Sequence, residues 1–97
     1  MAQLFYRRNI TITNQTLTNA DTEYSVALPT GCTYVAIKSR NNLVDIKFSF
    51  TSGESGITYL TIFGGTEWAT HLDSIEVVTI YLQSSTAGVV VEFEQWT

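Results

Sequence analysis

Alternating apolar and polar side chains, closely spaced turn residues and abundant threonine predict an all-β fold. The expected form is about eight antiparallel strands in a two-sheet β-sandwich, with jelly-roll-like or Greek-key crossing. Alternation is clearest where Val44, Ile46, Phe48 and Phe50 interleave with Asp45, Lys47 and Ser49. That period of two presents one face to a core and the other to solvent. Fifteen of the 97 residues are threonine, whose branched Cβ suits a pleated surface. No stretch places apolar residues at helical spacing among good helix formers.

The first strand begins with Ile10 and Ile12 and runs toward Leu17. The second spans residues 24–28, with Tyr24, Val26 and Leu28 on one face. Pro29-Thr30-Gly31 turns the chain, because Pro presets φ and Gly accepts a positive one. The third covers 33–38 with Val35 and Ile37 inward, and Arg40-Asn41-Asn42 is read as a tight hairpin turn into the fourth. The fourth holds Val44 to Phe50, and a polar loop over residues 51–56 follows. The fifth covers 58–63, with Leu60 and Ile62 opposed to Tyr59, Thr61 and Phe63. Gly64-Gly65 is read as a hairpin turn into a sixth strand near 68–72, which Asp73-Ser74 ends. The seventh covers 77–83 with Val78, Ile80 and Leu82 inward, and a turn over 84–88 leads to the eighth at 89–96.

Two segments echo each other. Ile37-Lys38-Ser39 followed by Val44 to Phe48 recurs, 45 residues on, as Leu82-Gln83-Ser84 followed by Val89 to Phe93. Thr22-Glu23-Tyr24 with Leu28 recurs as Thr66-Glu67-Trp68 with Leu72. An internal repeat of about 45 residues is one supersecondary unit used twice. The expectation is two halves packed face to face, since neither could bury its own apolar side alone.

Ninety-seven residues make a single domain, 1–97, in which residues 1–9 could form an N-terminal arm. Hydrophobic residues at 44% place the chain among globular proteins. A net charge of −4 argues against nucleic-acid binding, which needs a basic face. The apolar runs fall far short of the ~20 residues that span a bilayer, so no membrane partner is expected. Met1 to Arg8 lacks the apolar stretch of a secretory leader, and Cys32 stands alone, so synthesis in the cytoplasm without a disulfide is expected.

No catalytic constellation emerges, and neither enzymatic activity nor a cofactor or metal is expected. His71 with Asp73 on one strand face could polarise a ring, but no nucleophile motif accompanies them, and an ordinary strand residue explains His71. Cys32 lacks a cationic neighbour in sequence and reads as a small core residue. Asp21 with Glu23, and Asp73 with Glu76, could offer oxygens to calcium, yet no D-x-D-x-D-G run is present. Glu92 and Glu94 read as solvated charges that discourage strand aggregation. Gly64-Gly65 lacks the Lys-Ser/Thr of a phosphate loop. Asn9-Ile10-Thr11 and Asn14-Gln15-Thr16 match glycosylation acceptors by chance in so Thr-rich a chain.

Outward aromatics are the stronger functional candidates. Tyr34, Tyr59, Phe63 and Tyr81 fall opposite the inward faces, where they could pair across strands, dock a protein or stack on a sugar. Leu4, Phe5, Tyr6, Arg7 and Arg8 combine apolar bulk with arginine forks, a composition enriched at interfaces. The same five residues would be unremarkable as the start of a long first strand.

Three segments carry a resemblance to known proteins: Ile37-Lys38-Ser39-Arg40 through Lys47-Phe48-Ser49-Phe50, the loop Thr51-Ser52-Gly53-Glu54-Ser55-Gly56, and the ending from Tyr81 to Trp96-Thr97. Over roughly its last two-thirds the chain resembles the small β-sandwich structural proteins encoded among virion genes of tailed bacteriophages. The resemblance implies a capsid decoration or cement protein bound across subunits of the major capsid protein. Head–tail, tail and fibre components are the neighbouring readings. It also implies assembly into virions in the host bacterial cytoplasm and, as usual for such parts, a homo-oligomer. A carbohydrate-binding module using exposed aromatics is the alternative from another class.

Overall fold

The computed structural model describes residues 9–73 and 77–97, and all eight expected strands lie within them. They are β1 (Ile10–Leu17), β2 (Tyr24–Ala27), β3 (Tyr34–Ser39), β4 (Ile46–Ser49), β5 (Leu60–Ile62), β6 (Glu67–His71), β7 (Thr79–Gln83) and β8 (Val89–Trp96). One sheet has the order β1-β8-β3-β6 and the other β2-β7-β4-β5, with every pairing antiparallel.

The pairing rule is simple. The first strand pairs with the last, the second with the seventh, the third with the sixth and the fourth with the fifth. The chain is thus one long two-stranded ribbon, folded back at β4–β5. Its winding brings β3 beside β8 and β4 beside β7. This is the jelly roll, a double-stranded β-helix. It settles the crossing pattern between the two expected alternatives.

Among the described residues, only β4 and β5 form a hairpin; the other consecutive strands lie in different sheets. Arg40-Asn41-Asn42, Gly64-Gly65 and the 84–88 turn are therefore crossovers, not hairpin turns. At the first two, the backbones touch. Gly64 N donates to Asp45 Oδ1 at 2.8 Å, and a Cβ on Gly64 would lie 2.5 Å from the Asn42 carbonyl oxygen. The two halves also do not pack face to face. Each sheet interleaves strands from both, so each half's apolar side is covered within a mixed pair of sheets. The echoed segments fall on β2 and β6, β3 and β7, β4 and β8, which occupy corresponding places in the two sheets. The halves differ where β1 has eight residues and β5 three, and a duplicated unit is not established.

Alternation predicts the core well. Val35, Ile37, Ile46, Phe48, Ile80, Leu82, Val91 and Phe93 are fully or almost fully buried between the sheets. Trp68 closes the β5–β6 side, with its ring 4.7 Å from that of Phe48. Two expected inward residues are displaced. Phe50 lies beyond the end of β4 and is 47% exposed, at the open rim of the Phe48–Trp68 cluster. Leu60 lies on an edge strand opposite Phe48, where no further strand covers it, and is 53% exposed.

The 51–58 segment folds back over the outer face of the β2-β7-β4-β5 sheet. Glu23 accepts hydrogen bonds from Gly53 N, Ser55 N and Ser55 Oγ, and Gln83 Nε2 donates to Ser55 Oγ. Glu23 and Gln83 point outward from their strands, so the loop is stapled to that face, and Ser55 is completely buried beneath it.

Candidate functional site: the outer face of the β1-β8-β3-β6 sheet

Strand register arranges this face in three rows. The first row is Ile10, Trp96, Tyr34 and His71. The second is Ile12, Glu94, Ala36 and Ala69, and the third Asn14, Glu92, Lys38 and Glu67. Side chains two apart on a strand share a face, so these twelve project the same way.

The aromatic row is in mutual contact. The Tyr34 ring lies 5.1 Å from His71, tilted at 57°, and 5.4 Å from Trp96, edge-on at 61°. Such tilted arrangements suit the ring quadrupoles. Trp96 Nε1 donates to Glu94 Oε2 at 2.7 Å, which fixes the indole against the strand. With Thr33, these side chains bound a hollow of about 270 Å³. A second hollow of about 210 Å³ adjoins it over Ala36, because the middle row carries only small alanines on β3 and β6.

The charged row is an ion-pair cluster. Glu92 Oε2 accepts from Arg40 Nε at 2.9 Å, and Lys38 Nζ lies 3.7 Å from Glu92 Oε1. The Arg40 hydrogen bond holds the Glu92 carboxyl below its usual range, with the charges of Arg40 and Lys38 adding and desolvation opposing.

β1 is built inside out. Parity sets Thr11, Thr13, Gln15 and Leu17 toward the other sheet, where Thr13 Oγ1 donates to the buried Gln95 Oε1 at 3.0 Å. Ile10 and Ile12 point out and are 54% and 63% exposed. A one-residue slip would turn both isoleucines toward the other sheet. The β8 register fixes the opposite choice, which leaves apolar area in solvent beside Trp96 and Tyr34.

Of the residues expected from sequence, Tyr34 sits in the aromatic row of this face, between Trp96 and His71. Tyr59, Phe63 and Tyr81 belong to the opposite sheet. Tyr59 and Phe63 flank the short β5, exposed, with Lys47 Nζ 4.9 Å above the Tyr59 ring. Tyr81 is half-buried on the sheet face that carries the 51–58 loop. The four outward aromatics therefore do not form one platform. Leu4, Phe5, Tyr6, Arg7 and Arg8 lie outside the described residues, as do Ser74 and Glu76. Ile10, Ile12 and Trp96 are not among the contact residues expected from sequence, and Glu94 reads there only as a solvated charge. Parity held the signal, since Ile10 and Ile12 are out of phase with Leu17 on one strand.

The minor candidates resolve structurally. Cys32 is buried, and its Sγ donates to the Tyr34 carbonyl at 3.3 Å. Glu23 is occupied by the 51–58 loop. Among the described residues, no group of three or more His, Cys, Asp or Glu is placed to hold a metal ion.

No protein-family model and no curated protein matches this sequence. Among solved structures, the chain is similar to a solution NMR structure of a de novo designed double-stranded β-helix. The two share 15% identity and a TM-score of 0.52, over 94% of this chain and 99% of the other. The class shared is the double-stranded β-helix, and at that identity the likeness extends to fold alone.

Proposed function

We propose that the chain is a non-enzymatic structural protein of a bacteriophage particle, a capsid decoration protein that adheres across subunits of the major capsid protein. The observation that carries adhesion is the outer face of the β1-β8-β3-β6 sheet. Ile10 and Ile12 stand in solvent on this outward face, and they continue into the Trp96–Tyr34–His71 row. Aromatic side chains beside exposed aliphatics, rimmed by charges, have the anatomy of a protein contact. The phage assignment rests on the resemblance in the hairpin-like segments and the Tyr81–Thr97 ending. It places the chain on the virion, assembled in the host cytoplasm. Head–tail and fibre positions would use the same face on another partner.

The test is co-sedimentation of the purified chain with shells of the virus that encodes it, followed by electron microscopy. Saturable binding is expected, weakened at least tenfold by Ile12→Lys or Trp96→Ala, roughly the cost of one well-packed contact. Density away from the shell would move the chain to another part of the virion. Absence from purified virions by mass spectrometry sinks the proposal.

A second reading, a carbohydrate-binding module, is favoured by the hollow at Tyr34, Trp96 and His71. It joins aromatic surface to the Glu94 carboxylate, which suits the apolar and hydroxyl sides of a sugar ring. Glycan-array binding lost on Tyr34→Ala supports it, and a blank array removes it.

A further inference from the structure

We infer that two copies of this chain pair through the outer edge of β1, antiparallel about Thr13, to join their β1-β8-β3-β6 sheets into one continuous sheet.

β1 is an edge strand, and among the described residues nothing pairs with its far side. Two hydrogen bonds show which backbone groups lie there. Thr97 N donates to Asn9 O, and Gly88 N donates to Leu17 O. Both acceptors are odd-numbered, and the register between them is unbroken. In an antiparallel ladder, a residue's N–H and C=O point to the same side, and successive residues alternate. Odd residues therefore bond β8. Ile10, Ile12, Asn14 and Thr16 direct four N–H groups and four C=O groups to the open edge, where the Thr16 carbonyl already accepts from Gln15 Nε2 at 3.0 Å.

Natural sheets protect such edges with charges, Pro, bulges or short strands. The other three edge strands follow that practice: β2 has four residues, β5 has three, and β6 carries Glu67. β1 has eight residues in the run Ile-Thr-Ile-Thr-Asn-Gln-Thr-Leu, without charge, Pro, Gly or bulge. It is the longest and least defended edge among the described residues.

The occupant that fits is β1 of a second copy. Antiparallel pairing of a strand with itself is two-fold symmetric, as closed dimers usually are. Centring on Thr13 sets Ile10 opposite Thr16 and Ile12 opposite Asn14. The four N–H groups and the three free C=O groups are then used, and the Thr16 carbonyl accepts from the Ile10 amide of the second copy through its other lone pair or in place of Gln15 Nε2. Thr13 meets Thr13 and Thr11 meets Gln15 on the other side, so no like charges oppose each other despite a net charge of −4 per chain. The exposed isoleucines gain cover at the seam. This pairing is independent of any virion role.

The test is sedimentation and amide exchange on the full chain. The mass should rise from 10.8 kDa toward twice that with concentration. The amides of Ile10, Ile12, Asn14 and Thr16 should exchange slowly in the dimer and fast on dilution. Those of Thr11, Thr13 and Gln15 should stay slow in both. Asn14→Pro removes a donor only from the open edge, where Pro is tolerated. It should weaken dimerisation by at least about tenfold, the worth of one or two hydrogen bonds, while leaving the melting temperature of the monomer nearly unchanged. Gln15→Pro, which removes a bond to β8, should instead destabilise the monomer. A monomer at every concentration overturns the inference, whether its even-numbered amides are unprotected, protected by its own chain, or protected only when another protein is added.

Discussion

Glu23 and Ser55, 32 residues apart, are joined by a 2.6 Å hydrogen bond in which the serine hydroxyl donates to the carboxylate. With the amides of Gly53 and Ser55 donating to the same group, one side chain satisfies three donors of a folded-back loop. Glu23→Ala should release the 51–58 loop and cost about 1–3 kcal/mol, the range for the loss of a charged acceptor that leaves the donors of buried Ser55 unpaired. Urea unfolding measures the cost, and faster exchange at Gly53 and Ser55 localises it.

The same carboxyl gives a pH dependence. The Ser55 hydroxyl holds the Glu23 carboxyl below its usual range; desolvation opposes this, and the two amides add to the lowering. A folded value below the unfolded one means the stabilisation is present above the unfolded carboxylate range, about pH 4.3, and is lost as pH falls through the folded value. Stability measured between neutral and acidic pH should therefore fall in wild type and fall less in Glu23→Gln.

Glu92 should respond to salt, where Glu23 does not. Its carboxyl is held down chiefly by Arg40 on an open surface. Added salt or Arg40→Met should raise its pKa toward the ordinary value in an NMR titration, with no detectable change in melting temperature, because exposed ion pairs are screened.

Gly64→Ala should be among the worst single-methyl changes. The new Cβ would sit 2.5 Å from Asn42 O and 2.9 Å from Val44 N, both backbone atoms that cannot rotate away. A cost of about 1–3 kcal/mol is expected, as for overpacking. Asp45→Ala, which removes the acceptor of Gly64 N but adds no clash, should cost less. Denaturant midpoints rank the two.

Phe48→Ala and Phe50→Ala should differ sharply, although both continue one alternation. Phe48 is fully buried against Trp68 and should cost about 3–5 kcal/mol. Phe50 is half in solvent at the rim, so its loss should cost under about 1.5 kcal/mol, less than full burial of such a side chain contributes. Equal effects would mean that the rim is closed in solution.

The strands were legible because alternation at period two was visible in most of them, and their ends were marked by Pro29, Gly31, Asn41, Gly64 and Gly88. The pairing was not. Arg40-Asn41-Asn42 looks like a hairpin turn by composition, yet residues 40–45 carry the chain to the other sheet. Local chemistry fixes that a chain bends and not which strand it then joins. The outward placement of Tyr34 was legible for the same reason as the core. Its meeting with Trp96 and His71 was not, since three strands separated by 25 residues or more converge only through the β3–β6 and β3–β8 registers.

By itself the sequence determined that the chain is all-β, where its strands run and which residues of β3, β4 and β7 face inward. Those properties depend on side-chain alternation within a few residues. Only the tertiary structure decided the jelly-roll order, the displacement of Phe50 and Leu60 from the core, and the outward turn of Ile10 and Ile12. Each of these follows from contacts between distant segments. β1 takes its register from β8, and that register joins Thr13 to the buried Gln95 and leaves two isoleucines and one backbone edge facing out.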